Sequence, residues 1–336
     1  MTPAKATFSF RAIFQRSYQL TKKNKLLWFF GFFAAFLGVG GELESLFQNY
    51  SSVRGTTESI LSLQSFYQDG IFGSIFGNLK DFFGSYPAQG FLFLLLLFVV
   101  TIILLWLAII SQVALFDSAK KLSANRAVNY NEAYRVGNKY FGSVFLVQAL
   151  LRTIQYVLFA VVGSVLVSWF LDGNSLTGGI AFVLFIFLIL IPVSIVISFL
   201  IRYAIAYIAL KDVPAMESIK RAWQLFRGNW IVSIEMALLV LLLGLVAGLI
   251  IAIAIGLASV PFILIAIAAT FFGSANGFAI TIIVGTIMWF VVAAVIGAMY
   301  VAFQYTAWTL FFMELDKKRA GSTVVRVLQR LGIGNS

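Results

Sequence analysis

The chain contains neither cysteine nor histidine. Without thiols there are no disulfides and no thiolate nucleophile. Without imidazole there is no His-based acid–base scheme, no haem held by either residue, and few routes to a zinc site. The redox compartment stays open. Charge is scarce too: 11% of residues are charged, against roughly 25% in soluble domains. Other chemistry is missing as well. No glycine-rich loop followed by lysine is present to cradle a phosphate, and no Ser, Lys and acid cluster stands out as a nucleophile system. The residues therefore point away from an enzyme, with no catalytic residue, cofactor or metal site expected.

What is abundant is apolar. Hydrophobic residues make up 61% of the chain, in several runs longer than the roughly 20 residues needed to cross a bilayer core of about 30 Å. The runs are too long and unalternating for barrel strands, and backbone in lipid must satisfy its own hydrogen bonds, so an all-α polytopic membrane protein is expected. It reads as one integral membrane domain over 1–336.

Residues 1–25 carry six Lys/Arg and no acid, with Phe10, Ile13, Phe14 and Tyr18 at helical spacing. That pattern predicts an interfacial helix lying on the membrane. A long basic leader, no clean cleavage site and further spans downstream argue against a cleaved signal peptide. Six spans are predicted, near 26–40, 91–115, 143–171, 179–209, 230–256 and 278–310. Pro192 predicts a kink in the fourth, and Arg202 near its end is expected to snorkel to the interface. The stretch 257–272, with Pro261, either extends the fifth span or turns back as a re-entrant piece. Residues 41–88 form the longest polar segment, with an apolar stripe from Ile71 to Phe83. Residues 172–178 and 273–277 read as turns, and 314–336 as a basic tail with one more apolar stripe.

One unit recurs. Residues 17–26 (SYQLTKKNKL) align with 222–231 (AWQLFRGNWI), each with an aromatic, Gln-Leu, a basic cluster and an Asn just before an apolar run. NEAYRVGNKYFGSVFL, beginning at Asn131, is a weaker third version. The chain thus reads as three pseudo-repeats, each an amphipathic helix plus a hairpin, starting near residues 8, 130 and 214.

Charge sets the topology. The N-terminus, the 117–141 loop, the 202–228 segment and the tail carry 21 of the 24 Lys/Arg, while 41–88 carries two and the remaining connections none. Lys and Arg orient spans whereas acids count for little, so both termini and every copy of the amphipathic unit are expected in the cytoplasm, with 41–88 outside. The basic collar, with Lys22, Lys23, Lys25, Arg221 and Arg227, would meet anionic headgroups, at about 1 kcal/mol per base near the surface. Because these bases interleave with membrane-facing apolar positions, nucleic acid is not an expected partner.

Three features inside the spans bear on function. Arg152 and Glu235 are the charged residues there, about 13 Å and 8 Å deep by helix rise. They are a candidate polar pair if the third and fifth spans are neighbours: a buried structural ion pair, or two residues snorkelling separately, with an ion or headgroup site as the functional alternative, since charged residues there are costly and often functional. Gly244, Gly248, Ala252 and Gly256 form a small-residue row at spacing four, which favours close helix packing within the chain. Ala293 and Gly297 would be a shorter counterpart. A homodimer seam or a substrate path is the alternative. Pro192 and Pro261 resemble the broken helices of transporters, but they do not occupy corresponding positions of inverted repeats.

Ala222, Trp223, Gly228, Asn229 and Trp230, followed by a long span, resemble a broad group of prokaryotic polytopic membrane proteins. The group includes the membrane domain beside some glycerophosphoryl diester phosphodiesterases. The resemblance implies a helical membrane domain in a prokaryotic cytoplasmic membrane. The phosphodiesterase activity belongs to a separate soluble domain, so no catalytic residue carries over. Two functions remain open: a non-enzymatic protein that organises the membrane or scaffolds a protein partner or second copy, and a transporter or channel for a lipid or small amphiphile.

Overall fold

The computed structural model describes residues 9–35, 87–171, 176–272 and 275–317. Among them every regular element is a helix: α1 (Phe10–Lys23), α2 (Leu26–Ala35), α3 (Pro87–Ser123), α4 (Tyr130–Leu171), α5 (Leu176–Lys211), α6 (Ala215–Gly228), α7 (Trp230–Phe271) and α8 (Ala275–Asp316). Helices α3, α4, α5, α7 and α8 are long and apolar enough to cross a bilayer. The described α2 has 10 residues, about 15 Å of rise, and is too short to do so by itself. The rest of the expected first span, 36–40, lies outside the described residues. So do the 41–88 segment up to residue 86 with its apolar stripe, residues 172–175 of one turn and 273–274 of another, and the tail from 318.

Two expectations are resolved by helix continuity. Helix α7 runs unbroken through Pro261 to Phe271, so 257–272 extends the fifth span and does not turn back. The weaker third amphipathic stretch is not a separate interfacial helix, because α4 starts at Tyr130 and continues straight into its span. The reason lies at the junctions. After α1, Asn24 turns its side-chain amide onto the Leu20 carbonyl (2.8 Å), and after α6, Asn229 does the same to Leu225 (3.1 Å). At Asn229 the side chain supplies the Leu225 carbonyl, while the backbone N–H goes to Phe226; at Asn24 the side chain and the backbone N–H share the Leu20 carbonyl. The third version has no such residue: its Asn138 lies inside α4, and the helix runs on through Lys139 and Tyr140.

The core sits at one end of the bundle. It is built from α3 around 108–122, α4 around 133–151, α5 around 197–210 and the last turns of α8 around 301–315, with α1, α2, α6 and the first turns of α7 against them. Each amphipathic stretch lies on the second long helix of another hairpin. Helix α1 rests on α8, with Phe10 stacked on Phe311. The start of α4 rests on α3, where a Cβ on Gly137 would come within 2.6 Å of Ile110. Helix α6 rests on α5, with Phe226 stacked on Phe199 at 5.1 Å. The buried positions of α1 and α6 also correspond: Ile13, Ser17 and Thr21 match Ser218, Ala222 and Phe226 in spacing and in place before the Asn.

Away from this end, apolar side chains are exposed, from Phe91 to Ile103 on α3 and from Leu242 to Phe271 on α7. Lipid solvates such side chains as well as protein does, so they have no drive to pack. At 42 residues, about 63 Å, α7 exceeds the thickness of the bilayer core.

Candidate functional site

Ion pairs tie the helix ends together where the core lies. Lys121 of α3 bridges to Glu132 of α4 (2.7 Å), and Lys211 of α5 to Asp316 of α8 (2.6 Å). Lys120 donates to the Leu210 carbonyl (2.7 Å), and Arg16 of α1 to that of Ser123. Lys139 of α4 reaches Asp212, just past α5, at 3.2 Å and also contacts the Tyr140 hydroxyl at 2.8 Å. Hydrogen bonds from Lys139 and Tyr140 hold the Asp212 carboxyl below its ordinary range. Composition suggested a collar of bases aimed at headgroups, whereas Lys120, Lys121, Lys139 and Lys211 fasten helix to helix. Lys22, Lys23, Lys25, Arg221 and Arg227 are exposed, and Arg221 also pairs with Glu217 (2.5 Å).

The two connections that close this end share a backbone device. Asn125 and Asp212, just past the ends of α3 and α5, have φ of 56° and 55°, in the left-handed region that Asn and Asp tolerate better than most residues. After α3 the Arg126 N–H returns to the Lys121 carbonyl (2.9 Å) and that of Asn125 to Leu122 (3.0 Å), the hydrogen-bond pattern of a Schellman motif.

Further into the bundle lies a polar layer. The Gln148 amide of α4 donates to the Gln112 carbonyl oxygen of α3 at 2.6 Å, both side chains being buried. Tyr203 of α5 and Ser233 of α7 share a hydrogen bond of 2.7 Å, also buried. Arg202, expected to snorkel outward, stacks its guanidinium over the ring of buried Trp308, 4.8 Å from the centroid. Gln304 is buried one residue before Tyr305.

Arg152 and Glu235 are both half-buried, and neither is without a partner. Arg152 lies one turn beyond Gln148 on α4, and Glu235 two residues beyond Ser233 on α7. Helix α4 packs chiefly on α3 and α5, whereas α7 packs chiefly on α8, so the third and fifth spans do not share an extended interface. The Gln112–Gln148 bond escaped the sequence reading because glutamine carries no charge to flag it. Each Gln, however, stands almost alone as a polar residue in an apolar run.

The small-residue row is corrected. A Cβ on Gly248 or Gly256 would meet nothing within 4 Å, and Ala252 is exposed, so this face of α7 looks away from the other helices. The expected counterpart Gly297 likewise has open space. Close packing occurs instead where α2 crosses α8. There a Cβ on Gly31 would collide with the Ala298 carbonyl and press on Ala302.

A cleft opens at the end where the ion pairs lie. It has a volume of about 580 Å³ and is bounded by Tyr207, Lys211, Arg221, Gln224, Asn229 and Asp316. Among the described residues no group of three or more acids is arranged to hold a metal ion.

Long apolar helices gathered around a small polar interior define a helical membrane protein. The chain belongs to a family of unknown function, DUF7544, which matches residues 26–315. No curated protein and no solved structure matches it.

Proposed function

We propose that this chain is a non-enzymatic protein that organises the membrane or scaffolds a partner, held in place by basic interfacial helices on anionic lipid. In this reading it has six spans in three hairpin units. Both termini lie in the cytoplasm of a prokaryote, and each amphipathic segment marks the inner face. The observation that carries it is the correspondence of α1 and α6. The two helices bury matching positions, end on the same Asn device and leave Lys22, Lys23, Arg221 and Arg227 exposed. Exposed Trp223 and Trp230 suit the interface between lipid and water. The resemblance of 222–230 to membrane domains that accompany a separate catalytic domain supports the same reading. In bilayers reconstituted with and without anionic lipid, neutralising Lys22, Lys23, Arg221 and Arg227 together weakens association with the anionic lipid. An unchanged lipid preference removes the proposal.

The polar layer favours a second reading, a transporter or channel for a lipid or small amphiphile. Gln112, Gln148, Arg152, Arg202 and Glu235 give a largely apolar bundle a polar interior, and intramembrane ionisable groups commonly mark a pathway. Here flux through liposomes exceeds that of empty ones and is lost in Glu235→Gln while folding is retained. Flux equal to that of empty liposomes excludes it.

A further inference from the structure

The cleft between the end of α5, α6 and the end of α8 has the chemistry of an anion site joined to a lipid-facing wall. Two of the residues that line it, Tyr207 and Leu315, are buried. Its walls carry Lys211, Arg221 and Gln224, with Asp316 beside Lys211. Both cations are already partnered, Lys211 by Asp316 and Arg221 by Glu217. Those pairs fix the cations in place and do not exhaust them. An ammonium has three donors, and Asp316 Oδ1 takes one. A guanidinium has five, and Glu217 Oε1 takes those on Nε and Nη2. The remaining N–H groups, with the Gln224 amide, suit the oxygens of a phosphate ester. At about 580 Å³ the cleft lies within the ordinary range for small-molecule sites.

The continuation of the cleft indicates which phosphate ester. Asn229 borders it, and the next residue, Trp230, opens an exposed apolar face on α7 that runs through Ile234, Leu238 and Leu242. Spacing of four keeps these residues on one side of the helix. A molecule with its head in the cleft therefore lays its tail along α7.

We propose that this cleft is a specific site for an anionic phospholipid, its phosphate held by Lys211, Arg221 and Gln224 and its acyl chains lying on the exposed face of α7. The proposal deepens the anionic-lipid reading above, since it replaces a diffuse collar with one defined position.

The test is native mass spectrometry of the full chain released from nanodiscs containing equal amounts of phosphatidylglycerol and phosphatidylcholine. The wild-type chain retains phosphatidylglycerol preferentially. The double variant Lys211→Gln/Arg221→Gln reduces that preference at least about five-fold, as two lost bases near a surface should. Lys211→Arg/Arg221→Lys keeps it. Gln224→Glu, which puts a negative charge in the cleft and touches neither ion pair, also lowers it and serves if the double variant does not fold. The set Lys22→Gln/Lys23→Gln/Arg227→Gln, outside the cleft, changes it less than about two-fold. Loss of preference only in that outer set overturns the cleft and leaves the collar reading standing. No preference in the wild-type chain overturns both. Capture of inorganic phosphate by the delipidated chain, with no preference among lipids, overturns the assignment to a lipid.

Discussion

Asn24 and Asn229 do the same work at two helix junctions far apart in the sequence. Each folds its side-chain amide back onto the carbonyl four residues earlier, and each stands where an amphipathic helix stops and an apolar one begins. The bond gives a carbonyl in the last turn a side-chain donor at the corner between the two helices. Replacing either Asn with Ala removes it and lets the two helices tend to fuse. The expected loss is about 0.5–1.5 kcal/mol for each substitution, in line with a single hydrogen bond. Thermal unfolding in detergent measures it. Additive losses in the double variant are expected because the two bonds share no partner.

The two kinds of glycine should separate cleanly. At Gly31 a methyl group meets the backbone of α8, which cannot move without shifting the helix, so Gly31→Ala costs about 1–3 kcal/mol. At Gly137 the obstacle is Ile110, both its side chain and its carbonyl, and the same sign is expected. Gly248→Ala and Gly256→Ala meet open space and remove a poor helix former, so stability is unchanged or raised by up to about 1 kcal/mol. Melting curves for the four variants decide it. A clear loss at Gly248 would place a neighbour there that is not among the described residues of this chain.

The Gln112–Gln148 bond makes a sharper demand. Gln148→Leu leaves the Gln112 amide buried without its partner, at a cost of about 1–3 kcal/mol. Changing both to Leu removes the orphan along with the bond and recovers much of the loss. Interhelical hydrogen bonds in bilayers average about 0.6 kcal/mol in double-mutant cycles. The cycle on these two residues is therefore expected between that value and 2 kcal/mol. Equal destabilisation by the single and the double variants would mean that packing, not the bond, matters at this point.

Asp212 gives the polar end a pH dependence of known sign. Its carboxyl titrates below its ordinary value of 3.8 because hydrogen bonds from Lys139 and Tyr140 favour the charged form. Folding then binds fewer protons than unfolding at this site. The contribution is complete above the unfolded value and is lost as pH falls through the lower, folded one. Between pH 3.8 and neutrality the tie contributes a constant amount, so Asp212→Asn should produce the same shift in melting temperature across that window. Below it the shift between variant and wild type should shrink. A shift that grows on acidification would assign the effect to another group.

Much of the bundle could be read directly from the residues. The long apolar runs require helices because no other open-ended structure satisfies its backbone in lipid, and the core placed at one end collects the basic connections that the charge distribution had grouped. The repeated SYQLTKKNKL and AWQLFRGNWI stretches marked two helix junctions correctly, since a short side chain bonding a nearby carbonyl is a local event. The third stretch failed because its Asn falls within a helix that continues past it. The small-residue row on α7 failed for a different reason. Spacing of four shows which residues share a face but not what stands opposite, and a helix in lipid has no hydrophobic penalty that would turn that face inward.

The candidate sites divide in the same way. Sequence alone determined that the chain is helical and membrane-embedded, and that Arg152 and Glu235 lie within its spans, because length, hydropathy and charge are properties of the chain itself. Tertiary structure decided that Lys121 and Lys211 are ties between helices, that Gln112 meets Gln148, that Arg202 stacks on Trp308, and that Lys211 and Arg221 border one cleft. Each of those relations joins residues on separate helices, and whether they meet depends on which helices are neighbours and at what height.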